Sequence, residues 1–141
     1  KQFDTESIEM PKRAIIPTSA RPAAQHLKMS PGILSGDHLF LTGVTGSGPD
    51  GAMPADPETQ CRQAFAKIGT VLAEANLTFD HIVEITSYHI GIRDHFDLFD
   101  QIRLEHLTDP YPAWTAIEAG GLRRPGALVE IRVIAYTKAC D

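Results

Sequence analysis

A chain of 141 residues with 43% hydrophobic and 22% charged side chains is sized and composed for a single globular domain, which excludes a disordered polymer, a collagen-like fibre and a membrane bundle. Thirteen Lys and Arg against eighteen Asp and Glu leave a net charge of −5, a balance that argues against nucleic acid and anionic lipid as partners. No apolar run is long enough to span a bilayer and none resembles a signal segment, so the chain is expected in the cytoplasm, with Cys61 and Cys140 as reduced thiols.

The first dozen residues are polar and read as a loose arm. Residues 13–16 form a short apolar run that Pro17 stops, and the small, Pro-containing stretch 19–25 reads as a loop. Residues 1–24 are thus an arm carrying a first short strand, and residues 25–141 the single domain. The turn signal Ser35-Gly36-Asp37 separates two apolar runs, 28–34 and 38–42, and predicts an antiparallel hairpin. A Gly-, Pro- and Asp-rich loop over 43–57 then leads into a helix. Asp56 is placed to cap it, Pro57 suits its first position, and Ala64, Phe65, Ile68, Val71, Leu72 and Ala75 recur at helical spacing, with Asn76 as the C-cap.

Residues 82–90 are β-branched and aromatic and predict a strand. Phe96, Phe99, Ile102, Leu104 and Leu107 predict a second helix with Asp94 as its N-cap, ended by Pro110 and Pro112. Strands follow at 113–117 and 128–136. The order β-β-β-α-β-α-β-β points to an α+β layer, a sheet with both helices on one face. Nothing in a chain this short remains to cover the other face, which points to self-association through it.

Chemistry-bearing motifs are sparse. Gly46-Ser47-Gly48 lacks the Lys-Ser/Thr ending of a phosphate loop and reads as a linker. The six histidines show neither HExxH nor HxH spacing and the two cysteines no CxxC pair, so no metal site is expected. No GxSxG elbow occurs. His89 lies inside a predicted strand and is either packed at an interface or a proton donor or acceptor lining a cleft. Glu130, flanked by Val129 and Ile131, is either on the solvent face or held in a cleft, where it would suit proton transfer or the orienting of water.

Pro112-Ala113-Trp114-Thr115-Ala116-Ile117, then Leu122, then Val129-Glu130-Ile131 resembles the C-terminal signature of the RidA/YjgF family, in which Pro-Ala-Arg-Ser is followed by a Leu and an apolar-Glu-Ile triplet. Leu39-Phe40-Leu41-Thr42-Gly43 resembles that family's strand ending in Ser-Gly-Gln. Thr59 to Ala64, Ile82-Val83-Glu84 and Asp94-His95-Phe96 fall where it has its long helix, central strand and second helix. The resemblance spans roughly residues 25 to 137. It implies a chorismate-mutase-like α+β domain with a mixed sheet, forming a homotrimer around a central β-barrel with clefts between subunits. It also implies hydrolysis of reactive enamines and imines to a carbonyl compound and ammonia, with no cofactor.

Carried onto this chain, the resemblance makes Glu130 the group that orients water or binds the amino group, and Gly43 a cleft border exposing backbone. Thr115 and Ala116 would offer further backbone groups, with Tyr88 and His89 as candidates from their strand. The family's carboxylate-binding Arg is replaced by Trp114, its Gln by Val44 and its helical Asn by Asp100. Trp114 would be a stacking wall, favouring a substrate less anionic or more aromatic than 2-iminopropanoate. Arg93, Arg123, Arg124 and Arg132 are the cations that sequence alone offers as substitutes. The alternative is a non-catalytic trimer that binds or senses a small molecule. A ribonuclease activity, associated with some relatives, is disfavoured by the acidic charge.

Overall fold

The computed structural model describes residues 10–138. Cys140 and the first nine residues of the arm lie outside them. In chain order the elements are β1 (Arg13–Ile15), a 3₁₀ turn (Thr18–Ala20), α1 (Arg21–Leu27), β2 (Gly32–Ser35), β3 (His38–Leu41), β4 (Val44–Thr45), α2 (Pro57–Glu74), a second 3₁₀ turn (Phe79–His81), β5 (Ile82–His89), α3 (Ile92–His106), β6 (Ala113–Glu118) and β7 (Val129–Tyr136). The seven strands form one mixed sheet in the order β1-β2-β3-β7-β5-β6, with β4 also pairing β7. Only β5 and β6 run parallel, and α3 makes the crossover that parallel neighbours need.

The hairpin forms as predicted, with Ser35 opposite His38 across the turn. Residues 19–25 are helical rather than a loop. Pro22 sits in the first turn of α1, where its missing N–H costs nothing, and the Ala-Ala-Gln that follows suits a helix. The division drawn at residue 24 falls inside this helix. The loop over 43–57 contains β4, whose two residues are too few to show a period in sequence but pair with Ile131 and Glu130 of β7. Gly46 is no mere linker, because a Cβ there would collide with the backbone of Gln60 in α2.

Asp56 caps α2, its carboxylate accepting from the Thr59 N–H at 3.0 Å. Ala75 is the C-cap. Asn76 follows at φ 60, and bonds from the Leu77 and Asn76 N–H groups to the Leu72 and Ala73 carbonyls close the helix. α3 starts earlier than Asp94 suggests. Gly91, at φ 64, reverses the chain directly out of β5 and serves as N-cap, leaving Asp94 in the first turn.

Both long helices cover the same face. Cys61, Ala64, Phe65, Ile68 and Leu72 of α2 and Phe99 and Ile102 of α3 meet Leu39, Leu41, Ile85, Val129, Ile131 and Val133 from the strands in one core. On the other face the alternating residues Phe40, Tyr88, Glu130, Arg132, Ile134 and Tyr136 are left without a covering layer among the described residues. Phe40 there is 38% exposed and Ile117 of β6 is 41% exposed.

Gln60 is wholly buried yet fully used. Its Nε2 donates to the carbonyls of Pro54 and Gly126, and its Oε1 accepts from the Leu128 N–H at 2.8 Å. It fastens the 43–57 loop to the entry of β7, and the bare backbone of Gly46 lets the loop lie against it. Gly46→Ala is expected to lower stability by about 1–3 kcal/mol through overpacking against backbone. A urea titration should show a lower midpoint with an unchanged slope.

Candidate functional site

β7 is flanked by β4 and β5, and Glu130 pairs with Thr45 on one side and Tyr88 on the other. Strand alternation sends Val129 and Ile131 into the core and turns Glu130 to the uncovered face. The carboxylate lies along the backbone of Gly43, where an added Cβ would stand 2.8 Å from Oε2 and 3.1 Å from Cδ. Glu130 is half-buried, and among the described residues its carboxylate has no ion pair and no hydrogen bond. An uncommitted carboxylate beside bare backbone can hold a water or an amino group. Thr42 fixes the approach to Gly43: its N–H donates to the Pro31 carbonyl at 2.9 Å and its hydroxyl to the Ser30 carbonyl at 2.6 Å.

Tyr88 and Thr115 share this uncovered face, Tyr88 directly opposite Glu130 and Thr115 exposed beside Thr86. Trp114, Ala116 and His89 point to the other face, beneath α3. The seven candidate residues therefore divide, with Gly43, Tyr88, Thr115 and Glu130 gathered on one side of the sheet and Trp114, Ala116 and His89 on the other.

The indole of Trp114 is already engaged. It stacks on Phe96 with an interplanar angle of 2° and a centroid distance of 5.5 Å, and Phe99 lies at 6.0 Å. The Arg103 guanidinium sits 4.2 Å from the indole ring centre, a cation–π distance. Arg103 in turn donates from Nε and Nη2 to Oδ1 of Asp100 at 2.9 and 2.7 Å. The cation nearest the position of the family's Arg is thus Arg103, which none of the arginines singled out from sequence includes. Its signal was legible in hindsight, since Phe96, Phe99 and Arg103 fall at i, i+3 and i+7 on one face of α3. Of the others, Arg132 shares the face of Glu130, and Arg124 donates to the Gly51 carbonyl at 2.6 Å.

Ser87 is the hub beneath Trp114 and was not a candidate from sequence. The Trp114 Nε1–H donates to Ser87 Oγ at 2.8 Å, and Ser87 Oγ lies 2.8 Å from Nε2 of His89. An indole can only donate, so the Ser87 hydroxyl has its own proton to give to a neutral His89. His89 is fully buried, its ring edge-on to Phe99 at 4.7 Å and 5.8 Å from His95. Burial, reinforced by the charge on His95, lowers its pKa to about 4.

Two further groups bear on chemistry. Lys67 reaches the Thr45 carbonyl at 2.8 Å and Ser47 Oγ at 2.7 Å, pinning the strip that carries β4, and burial, aided by Arg124, lowers its pKa to about 8. Cys61 is buried, which raises its thiol to about 11, with the Asp56 charge adding, so it is an inert core side chain. Among the described residues no three His, Cys, Asp or Glu side chains are grouped to hold a metal ion, and no helix is long and apolar enough to cross a membrane.

Comparison with known proteins gives consistent results. The sequence profile Ribonuc_L-PSP, described as Endoribonuclease L-PSP, matches residues 18–137. The RutC family protein YjgH of Escherichia coli (strain K12) is 37% identical over 124 residues, spanning 84% of this chain and 93% of the relative. The 2-iminobutanoate/2-iminopropanoate deaminase of Bos taurus is 28% identical over 125 residues, 87% of this chain and 89% of that one. The solved structure of the protein YJGH superposes with a TM-score of 0.84 at 33% identity, over 93% of this chain and 100% of the other.

The buried imidazole makes stability depend on pH. An unfolded His89 takes up a proton near pH 6.5 and the folded one near 4. Stability held above pH 6.5 is therefore lost as the pH falls towards 4, by on the order of 3 kcal/mol. His106, lowered by burial, acts in the same sense, and the lowered carboxyls of Asp56 and Glu105 add their loss at lower pH. Urea unfolding between pH 7 and 4.5 is expected to show this decline in the wild type and a shallower one in His89→Leu.

Proposed function

The chain belongs to the Ribonuc_L-PSP family, with RutC and Rid proteins among its relatives, and we propose that it hydrolyses a reactive imine or enamine to a carbonyl compound and ammonia without a cofactor. The observation that carries this reading is the half-buried Glu130 carboxylate, without a partner among the described residues, against the Gly43 backbone. A deaminase of imino acids among the relatives supports the reaction class.

In the proposed reaction Glu130 orients a water and accepts a proton from it as its oxygen attacks the imine carbon. The resulting aminoalcohol takes a proton at nitrogen and loses ammonia as the carbon–oxygen double bond forms, so that one imine and one water give one carbonyl compound and one ammonia. An enamine enters after protonation at carbon. Gly43 contributes by absence, since any side chain there would press on the carboxylate. Tyr88 and Thr115 stand on the same face to contact the substrate. Three copies packed through the uncovered sheet faces would bury Phe40, Ile117 and Ile134 and enclose each Glu130 in a cleft between subunits. Trp114, stacked on α3, holds β6 in place and cannot serve as a fork for a carboxylate.

That engaged Trp114 also favours a second reading, in which the homotrimer binds or senses a small molecule and performs no chemistry. Ligand-dependent stabilisation without product would mark that case. The family profile's description as an endoribonuclease finds little support in a net charge of −5.

A dehydratase or amino-acid oxidase that generates imines from a panel of amino acids supplies the test. The wild type is expected to accelerate ammonia release on at least one imine, and Glu130→Gln to lower that acceleration by about a hundredfold or more with an unchanged oligomer. Gly43→Ala, which meets only the end of a flexible side chain, is expected to lose activity at nearly wild-type stability. No acceleration on any imine would sink the enzyme reading.

A further inference from the structure

We propose that Lys67 is a modification site, an amine that takes up carbon dioxide as a carbamate held by Arg124 and Ser47, independently of any reaction at Glu130. Three segments bring the groups together. α2 contributes Gln63 and Lys67, one turn apart on the same side of the helix. The loop after β4 contributes Ser47 and Gly48, and the loop before β7 contributes Arg124. Lys67 Nζ donates to the Thr45 carbonyl at 2.8 Å and to Oγ of the buried Ser47 at 2.7 Å. Arg124 ties its own loop to this one through Nη2 on the Gly51 carbonyl at 2.6 Å, and its charge acts on Lys67.

The charges in this corner do not balance. Among the described residues neither Lys67 nor Arg124 forms an ion pair, and every acceptor bonded to either is neutral. Asp50, the carboxylate of the same loop, accepts instead from the Ala52 N–H at 3.0 Å. Burial, aided by Arg124, keeps a fraction of the half-buried Lys67 as neutral amine around neutral pH. An ammonium has three protons, and Thr45 and Ser47 take two of them. The third direction is where a lone pair emerges on deprotonation. Gln63 adds unused capacity, because its Oε1 is buried without a hydrogen-bond partner among the described residues. Its amide reaches the loop, since a Cβ on Gly48 would lie 3.6 Å from both Nε2 and Oε1.

The neutral Nζ attacks the carbon of carbon dioxide. A nitrogen–carbon bond forms, one carbon–oxygen π pair moves onto oxygen, and one amine proton passes to water. The side chain changes from cation to anion, and one N–H remains for the Thr45 carbonyl. The new carboxylate accepts from the Ser47 hydroxyl and pairs with Arg124, which gives both loops the counter-charge they lack. Carbon dioxide is small enough for an amine already held on two sides, which selects it over bulkier acyl donors. The modified side chain joins the strip that carries β4 to the loop before β7 through an ion pair, where the unmodified one leaves two like charges.

The test uses the full chain in ¹³C-labelled bicarbonate at a pH near 8, where about half of Lys67 is neutral. Triethyloxonium fixes any carbamate as its ester, and digestion with mass spectrometry locates the label. Lys67 is expected to carry it at about ten times or more the occupancy of the exposed Lys12, Lys28 and Lys138. Arg124→Gln should lower the occupancy at Lys67 by about tenfold, and Arg124→Lys, which keeps the charge, should restore most of it. Lys67→Arg keeps a cation and donors for Thr45 and Ser47 but offers no neutral amine, so it should carry no label. The melting temperature of the wild type should rise when bicarbonate replaces chloride at equal ionic strength, and that of Lys67→Arg should not. No label on Lys67 in the wild type, equal labelling of the exposed lysines, or an occupancy unchanged in Arg124→Gln would overturn the proposal. None of these readouts uses an imine, so they decide this site separately from the hydrolase reading.

Discussion

The alternation of side chains along β7 decides which groups become core and which can meet a ligand. β7 pairs with β3, β4 and β5, so its register is fixed from both sides. Val129, Ile131, Val133 and Ala135 are at most 1% exposed beneath the helices, while Glu130, Arg132, Ile134 and Tyr136 face away. A slip of one residue would bury a carboxylate and a guanidinium in the core and expose the aliphatic row. The cost of that exchange holds Glu130 against Gly43, and the Gln60 clamp on Leu128 sets where the alternation starts. Core packing and the placement of Glu130 are one constraint.

The same sheet supports a second polar arrangement on the dry side, and the two have opposite character. Trp114, Ser87 and His89 form a donor–acceptor chain under α3 that leaves Nδ1 of His89 without a partner among the described residues. Burial keeps that imidazole neutral, so it neither donates a proton readily near neutral pH nor adds a charge to the core. Glu130 has the reverse situation: it is half-buried, without a partner among the described residues, and close to open backbone. Of the two, only the uncovered face combines an available titratable group with access for water.

How much was legible follows from the length of each signal. The periods of α2, β5 and β7 run over many residues, so these elements and the single helix-covered face could be read directly. Short pieces escaped. α1 was hidden by a proline that its first turn tolerates, and β4 has two residues and no period. Residue type did not reveal which side of a strand each candidate occupies. Trp114 and Thr115 are neighbours in sequence and lie on opposite faces, and Tyr88 and His89 divide in the same way. Ser87 and Arg103 carried no motif. Ser87 meets an indole 27 residues away that only the fold brings within hydrogen-bonding reach, and Arg103, paired locally with Asp100 on its own helix, meets Trp114 of β6 in the same way.

The tryptophan on β6 is best understood as one part of a set rather than as a lost arginine. Its ring lies against Phe96 and Arg103, Arg103 is neutralised by Asp100, and its N–H satisfies the hydroxyl that in turn meets His89. An arginine at 114 would stand a few ångströms from Arg103 with one carboxylate between them, and Ser87 would lose the indole donor. Like charges in a site with so little exposure oppose each other strongly, since Arg103 is only 12% exposed. Substitution of the single residue would therefore leave this edge of the sheet without a usable fork. Residue 114 is fixed by its neighbours on α3 and β5, and its identity follows from the set that Phe96, Arg103, Asp100 and Ser87 form around it.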